Sequence, residues 1–109
     1  MTRVVERYLD ALTRHDWSAL RECLSDDVVR VGPYNDEYRG RDAYVDFLST
    51  LMPTLPEYSM DVHRVTYVDS LAFAELSETV AGIRTDEALV FEITGERIAR
   101  VDVFIKTTP

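Results

Sequence analysis

From Glu57 onward the chain has no proline until Pro109, and over about fifty residues β-branched and aromatic side chains alternate with charged ones. A period of two sustained without proline reads as a run of strands, because successive strand side chains point to opposite faces. The expected strands are YSMDVHRVTYV, LAFAELSETVAG, EALVFEIT and RIARVDVFIKT. Turns are expected at Asp69-Ser70, around Arg84 to Asp86, and at Thr94-Gly95-Glu96. Connections this short force antiparallel neighbours, so the second half of the chain is a meander.

The first half carries helical periods instead. Val4, Val5, Tyr8, Leu9 and Leu12 share one face of an amphipathic helix that ends near His15, with Arg3, Arg7, Asp10 and Arg14 opposite. Asp16 is an expected cap for a short second helix, in which Trp17, Leu20 and Leu24 align and which Ser25, Asp26 and Asp27 stop. VVRVGPY is a strand closed by Gly32 and Pro33, and NDEYRGR a polar loop around at most a scrap of strand. Asp42 is placed to cap a third helix with Tyr44, Phe47, Leu48 and Leu51 on one face, ended by Pro53 and Pro56. The fold class is therefore α+β: a curved antiparallel sheet folded over helices, an arrangement that leaves a cavity between its layers.

At 109 residues the chain supports a single domain over residues 1–109 with one core and one pocket. Its formal charge of −8, from 20 acidic against 12 basic residues with no basic run, argues against nucleic acid and anionic membrane as partners. Charges at Arg3, Glu6, Arg7 and Asp10 interrupt the apolar pattern of MTRVVERYLDAL, so this stretch is expected to be neither a signal peptide nor a membrane span. A cytoplasmic protein is expected. Cys23 stands alone, which fits a reducing compartment, and packs as a small helix residue near Leu20 and Leu24. His15 and His63 have no cluster at ligand spacing around them, so no metal is expected. The four glycines sit singly at turns and make no phosphate loop.

The order helix, helix, strand, helix and four strands resembles the nuclear transport factor 2-like superfamily, which includes ketosteroid isomerases, SnoaL-type polyketide cyclases and limonene-epoxide hydrolases. The resemblance spans nearly the whole chain and is carried by ERYLDALTRHDW, LSDDVVRVGP, YRGRDAYVDFL and VFEITGERIARVDVF. It implies a cone-shaped sheet wrapped over three helices of the N-terminal half, a cystatin-like roll. It also implies homodimerisation through the convex sheet face, where Arg64, Arg100, Asp102 and Phe104 stand. Tyr8 falls where the isomerases keep their oxyanion tyrosine, but their base aspartate is replaced by Gly32 before Pro33, and their second acid lands near Leu89. The epoxide hydrolases hold an arginine between two aspartates; those places are Leu76, Glu78 and Val103, and their water-positioning pair falls on Arg30 and Gly32. The cyclases keep an acid/base aspartate in the last strands, where only Asp102 occurs, on the face opposite Val101, Val103 and Ile105. No named active site of the superfamily is present intact.

Within this frame FAELSETVAG poses the central question, because Glu75 and Glu78 sit three apart and so face opposite sides of the sheet. Ala72, Ala74, Leu76 and Val80 share the parity of Glu78, which makes it the expected inward carboxylate; a frayed, solvated strand end is the alternative. A register shifted by one would instead bring Phe73, Glu75 and Ser77 inward, burying fewer apolar groups. Arg30 has the parity of a solvent-facing residue, whereas the resemblance aims it at the cavity, where an ion pair with Glu78 is a hypothesis. Tyr8 is either a core tyrosine or a hydrogen-bond donor to the pocket.

The function expected is that of a cofactor-independent enzyme, a cyclase, isomerase or epoxide hydrolase, acting on a small apolar metabolite. Glu78 is its single acid/base, with Tyr8 as donor and Arg30 as charge partner. Leu76, Val80, Leu89, Phe91, Val101, Val103, Ile105 and Trp17 are the expected substrate-binding surface. The reading from another class is a ligand-binding or dimerisation module without turnover.

Overall fold

The computed structural model of the chain describes residues 3–106. Helices α1 (Val4–Thr13) and α2 (Trp17–Glu22) lead into strands β1 (Leu24–Val31) and β2 (Glu37–Arg39). Helix α3 (Arg41–Leu51) and one 3₁₀ turn (Met52–Thr54) follow, and then β3 (Ser59–Val68), β4 (Leu71–Val80), β5 (Ile83–Thr94) and β6 (Arg97–Lys106). The strands form one curved, open sheet in the order β2-β1-β6-β5-β4-β3. Thr107, which closes the expected last strand, and Pro109 lie outside the described residues.

β3 to β6 form the antiparallel meander that their alternation dictates. The sheet does not end there, because β1 pairs parallel with β6 and carries the three-residue β2 on its outer edge. Partners roughly seventy residues apart leave no local signal, so this extension was not in the expected meander. Among the described residues no helix is long and apolar enough to cross a membrane.

The helices cover one face of the sheet. Ala72, Ala74 and Leu76 of β4, Leu89 and Phe91 of β5, and Val101 and Val103 of β6 are buried with Val5, Tyr8, Leu9 and Leu12 of α1 and Tyr44 and Leu48 of α3. The register sets small against large: Ala72 lies opposite Phe91, and Ala74 opposite Leu89. Alternation of this kind fills a core without voids.

Element ends depart from expectation where backbone geometry outweighs composition. Helix α1 stops at Thr13, with His15 turning the chain at a φ of 55°. Cys23 ends α2, so Ser25, Asp26 and Asp27 belong to β1 rather than to a helix stop. The cap of α3 is Gly40 at a φ of 90°, while Asp42 lies in the first turn and pairs with Arg21. The β4–β5 turn falls at Ala81-Gly82, earlier than Arg84 to Asp86, and both residues have positive φ (50° and 80°). A two-residue turn of that hand matches the twist of its strands.

The other sheet face is polar and bridged: Glu75 pairs with Arg64, Arg100 with Asp102 at 2.9 Å, and Arg84 with Asp86 at 3.0 Å. The Ser77 hydroxyl, buried among them, donates to Asp86 and lies 2.7 Å from His63 Nε2.

Candidate active site

Strand register decides which acids meet on the covered face. Glu78 sits opposite Met60 on β3 and Thr85 on β5, and Glu87 is two residues beyond Thr85, opposite Leu76. A residue and the one two places past its partner are diagonal neighbours on a single face, within reach of long side chains. Glu78 and Glu87 are therefore adjacent, and both line a cavity of about 120 Å³ with Tyr8, Arg30, Leu48, Met52, Met60, Leu76, Leu89 and Val103. Apart from those four polar groups the lining is aliphatic or thioether.

Glu87 is pushed up to about 9, first by burial and then by the hydrogen bond and negative charge of Glu78; Arg30 pulls the other way. Two neighbouring carboxyls cannot both ionise cheaply, so the pair keeps a proton across the neutral range. Tyr58 donates its hydroxyl proton to Glu78 Oε2. Burial, followed by the charge of Glu78, raises Tyr58 far above the ordinary tyrosine range, so it remains a donor. The Tyr58 bond thereby fixes the Glu78 carboxylate in place.

At the other side of the cavity the Tyr8 and Tyr44 hydroxyls lie 2.5 Å apart, both rings fully buried. Burial pushes Tyr8 up to about 12 and Tyr44 well above its usual value, with Arg30 opposing both. Since one hydroxyl donates to the other, the pair retains one O–H for a further acceptor. The Tyr8 ring also meets Phe91 edge-on at 5.7 Å.

Arg30 faces the cavity because its parallel register pairs it with inward-facing Val101. Its ion-pair partner is Asp36, at 3.7 Å, and not Glu78. The short loop after β1 decides this: Gly32 N–H donates to the Asp36 carbonyl at 2.8 Å, and the Asp36 carboxylate folds over Gly32 where a methyl group would collide with it. The loop thus brings a counter-ion only six residues away to Arg30.

A profile of the SnoaL-like domain matches residues 5–101. The chain belongs to the SnoaL-like domain family. Among solved structures, a provisionally named ketosteroid isomerase from Kribbella flavida has a TM-score of 0.88 at 20% identity, over 97% of this chain and 77% of that one. An epoxide hydrolase of the LEH-like type from M. tuberculosis gives 0.80 at 21%, over 94% and 80%. A provisionally named SnoaL-like polyketide cyclase from Shewanella putrefaciens gives 0.82 at 18%, over 94% and 77%. No curated protein matches the sequence. The nuclear transport factor 2-like fold expected from the sequence is the fold found.

In this SnoaL-like domain the inward carboxylate is Glu78, and Glu75 stands exposed on the outer face with Arg64. Leu76, Leu89 and Val103, three of the residues proposed as a substrate surface, line the cavity. Phe91 and Val101 lie beneath it, fully buried in the core, and offer a ligand no surface. Val80 pairs with Ile83 at the hairpin end, and Ile105, beside Glu87, belongs to the lining of a different groove. Trp17 is the first residue of α2 and stacks on His15 at 5.4 Å, away from the cavity. Three polar residues were missed: Glu87, Tyr58 and Tyr44. Glu87 has the parity of Leu89 and Phe91, and Tyr58 that of Met60, so their facing was readable. Tyr44 was read as core, which it also is.

Proposed function

We propose that this SnoaL-like domain is a cofactor-independent acid–base catalyst that relocates a proton on a small, largely apolar molecule. One observation carries the reading: the Glu78–Glu87 pair in an otherwise aliphatic cavity. The Glu78 carboxylate takes a proton from the substrate, and Glu87 delivers the one it holds to the position that gains electron density. A transfer between the two groups then restores the starting state, so nothing is oxidised, reduced or consumed. The single carboxylate expected from the sequence would carry out both steps in turn, whereas the pair divides them between two groups.

The same pair suits epoxide opening, with Glu87 protonating the oxygen and Glu78 deprotonating a water. A cavity of about 120 Å³ favours isomerisation or cyclisation, since it holds one ring of roughly six atoms and little else. The test follows α-proton exchange of cyclic ketones in D₂O and hydration of cyclohexene oxide, with wild type and Glu78→Gln compared. Turnover lost in the variant supports the reading; turnover indifferent to Glu78 sinks it. Ligand binding with no turnover in either protein would favour the non-catalytic binding module instead.

The outer sheet face is proposed to pair with a second copy. Phe73 and Phe104 are exposed there, 39% and 56%, between Arg64–Glu75 and Arg100–Asp102 pairs whose mixed signs make the rim self-complementary. Wild type is expected to elute at twice its 12.5 kDa chain mass, and Phe104→Asp at the monomer mass. Size-exclusion chromatography with light scattering that finds monomer for both refutes the pairing.

A further inference from the structure

Glu78 and Glu87 are chemically identical side chains, yet acid–base work needs them unequal, one ionised and one protonated. The fold supplies the difference. Met60 of β3 lies opposite Glu78, so Tyr58, two residues before it, is a diagonal neighbour of Glu78 on the covered face, as Glu87 is on the other flank. Three adjacent segments thus set Tyr58, Glu78 and Glu87 in one line, with Glu78 in the middle. Tyr58 donates to Glu78 Oε2, and among the described residues no side chain outside the pair donates to Glu87.

Backbone geometry holds Tyr58 in this place. Glu57, directly before it, sits at a φ of 52°, in the left-handed region that a glutamate seldom adopts. The Pro56 carbonyl accepts from the Ala81 N–H at 2.9 Å, and Ala81 is itself in that region, three residues after Glu78. This clasp ties the segment that carries Tyr58 to the strand end that carries Glu78.

Building on the acid–base reading above, we propose that Tyr58 is the positioning residue of the pair: its hydroxyl, fixed on Glu78 Oε2, makes Glu78 the carboxylate that serves as base and seats the shared proton on Glu87. A phenol O–H donates more strongly to a carboxylate than to a neutral acid, so the bond favours the microstate in which Glu78 is ionised. Glu78 then accepts from two sides, from Tyr58 and from the acid O–H of Glu87. An ionised Glu87 would instead lie between Leu76 and Ile105 with no donor from outside the pair. The other charged and titratable groups facing the pair are Tyr8 of α1 and Arg30 of β1; α3 and the segment after it present only Leu48, Leu51, Met52 and Leu55. Arg30 pulls the opposite way, toward an ionised Glu87, but it acts through charge alone and is offset by Asp36, whereas Tyr58 acts through a direct bond.

Carboxyl ¹³C shifts at pH 7 read the seat of the proton, with the two resonances assigned through Glu78→Gln and Glu87→Gln. In wild type the Glu87 carbon is expected at the position of a carboxylic acid and the Glu78 carbon at that of a carboxylate, the two microstates differing by about tenfold or more. Tyr58→Phe keeps the ring and removes the donor, and is expected to lower that ratio by about tenfold, so that the two resonances move toward each other. Unchanged resonances in folded Tyr58→Phe, or a wild-type proton seated on Glu78, overturn the assignment. If Tyr58→Phe does not fold, the Tyr58 hydroxyl proton decides: a downfield signal protected from exchange in wild type and displaced in Glu78→Gln supports it, and a signal absent or indifferent to Glu78 overturns it. Failure of the acid–base reading is a different result, undiminished α-deuteration of cyclopentanone in Glu78→Gln while the wild-type proton stays on Glu87.

Discussion

In Glu78→Gln, α-proton exchange of the ketone probe is expected to fall by about 10²- to 10⁴-fold, the range over which a positioned general base accelerates proton transfer. Glutamine keeps the size of the side chain and can still accept from Tyr58, so cavity shape and ligand affinity survive. What it cannot do is take up a proton. Glu87→Gln leaves the base intact and removes the acid, so its loss is expected to be smaller, and the double variant to lose little beyond Glu78→Gln because the two act as one unit. Turnover in wild type is expected to fall as pH rises through about 9, where the pair sheds its remaining proton. Near-wild-type exchange in Glu78→Gln would place the base elsewhere.

The Glu87→Gln variant is expected to be more stable than wild type above neutral pH. The Glu87 carboxyl is raised from the ordinary value of 4.5 to about 9 by folding. Between those two values the folded chain retains a proton that the unfolded chain releases. Its contribution is therefore fully present below about pH 4.5 and is lost as pH rises to about 9. Glutamine has no proton to lose, and the slope vanishes with it. Discounted for a side chain that is only partly buried, the gain at pH 9 is about 1–3 kcal/mol. Urea unfolding at pH 5, 7 and 9 checks it: the two proteins should nearly coincide at pH 5 and separate progressively. Parallel curves across the range would mean that Glu87 is as solvated folded as unfolded.

The facing of Glu78 was legible because it follows from periodicity alone. Ala72, Ala74 and Leu76 fix the buried parity of β4, and an odd spacing sends Glu75 to the other side. Glu87 obeyed the same rule two residues ahead of Leu89, yet with the turn assigned to Arg84 to Asp86 it became the first residue of a strand. A turn at Ala81-Gly82 carries no Asn-Gly or Asp-Gly signal, since Ala81 adopts positive φ without the residue types that favour it. Arg30 fails by a different route. Val29 and Val31 suggest that their side of β1 is the inner one, whereas pairing with β6 makes the face of Arg30 inner and leaves both valines half-buried on the other. Hydrogen bonds such as Tyr58 to Glu78 and Tyr8 to Tyr44 join elements 20 and 36 residues apart, and only the closed fold specifies them.

Acid–base chemistry in this cavity requires that Glu78 and Glu87 share one proton near neutral pH. Selective ¹³Cδ labelling of glutamate, with carboxyl shifts followed from pH 3 to pH 10 by NMR, tests it without any substrate. One resonance is expected to titrate at about 9 and to move down toward the ordinary glutamate range, without reaching it, when Glu78 is replaced by Gln, because burial remains while the charge of Glu78 is gone. A wild-type protein in which every glutamate titrates below about pH 6 contradicts the account.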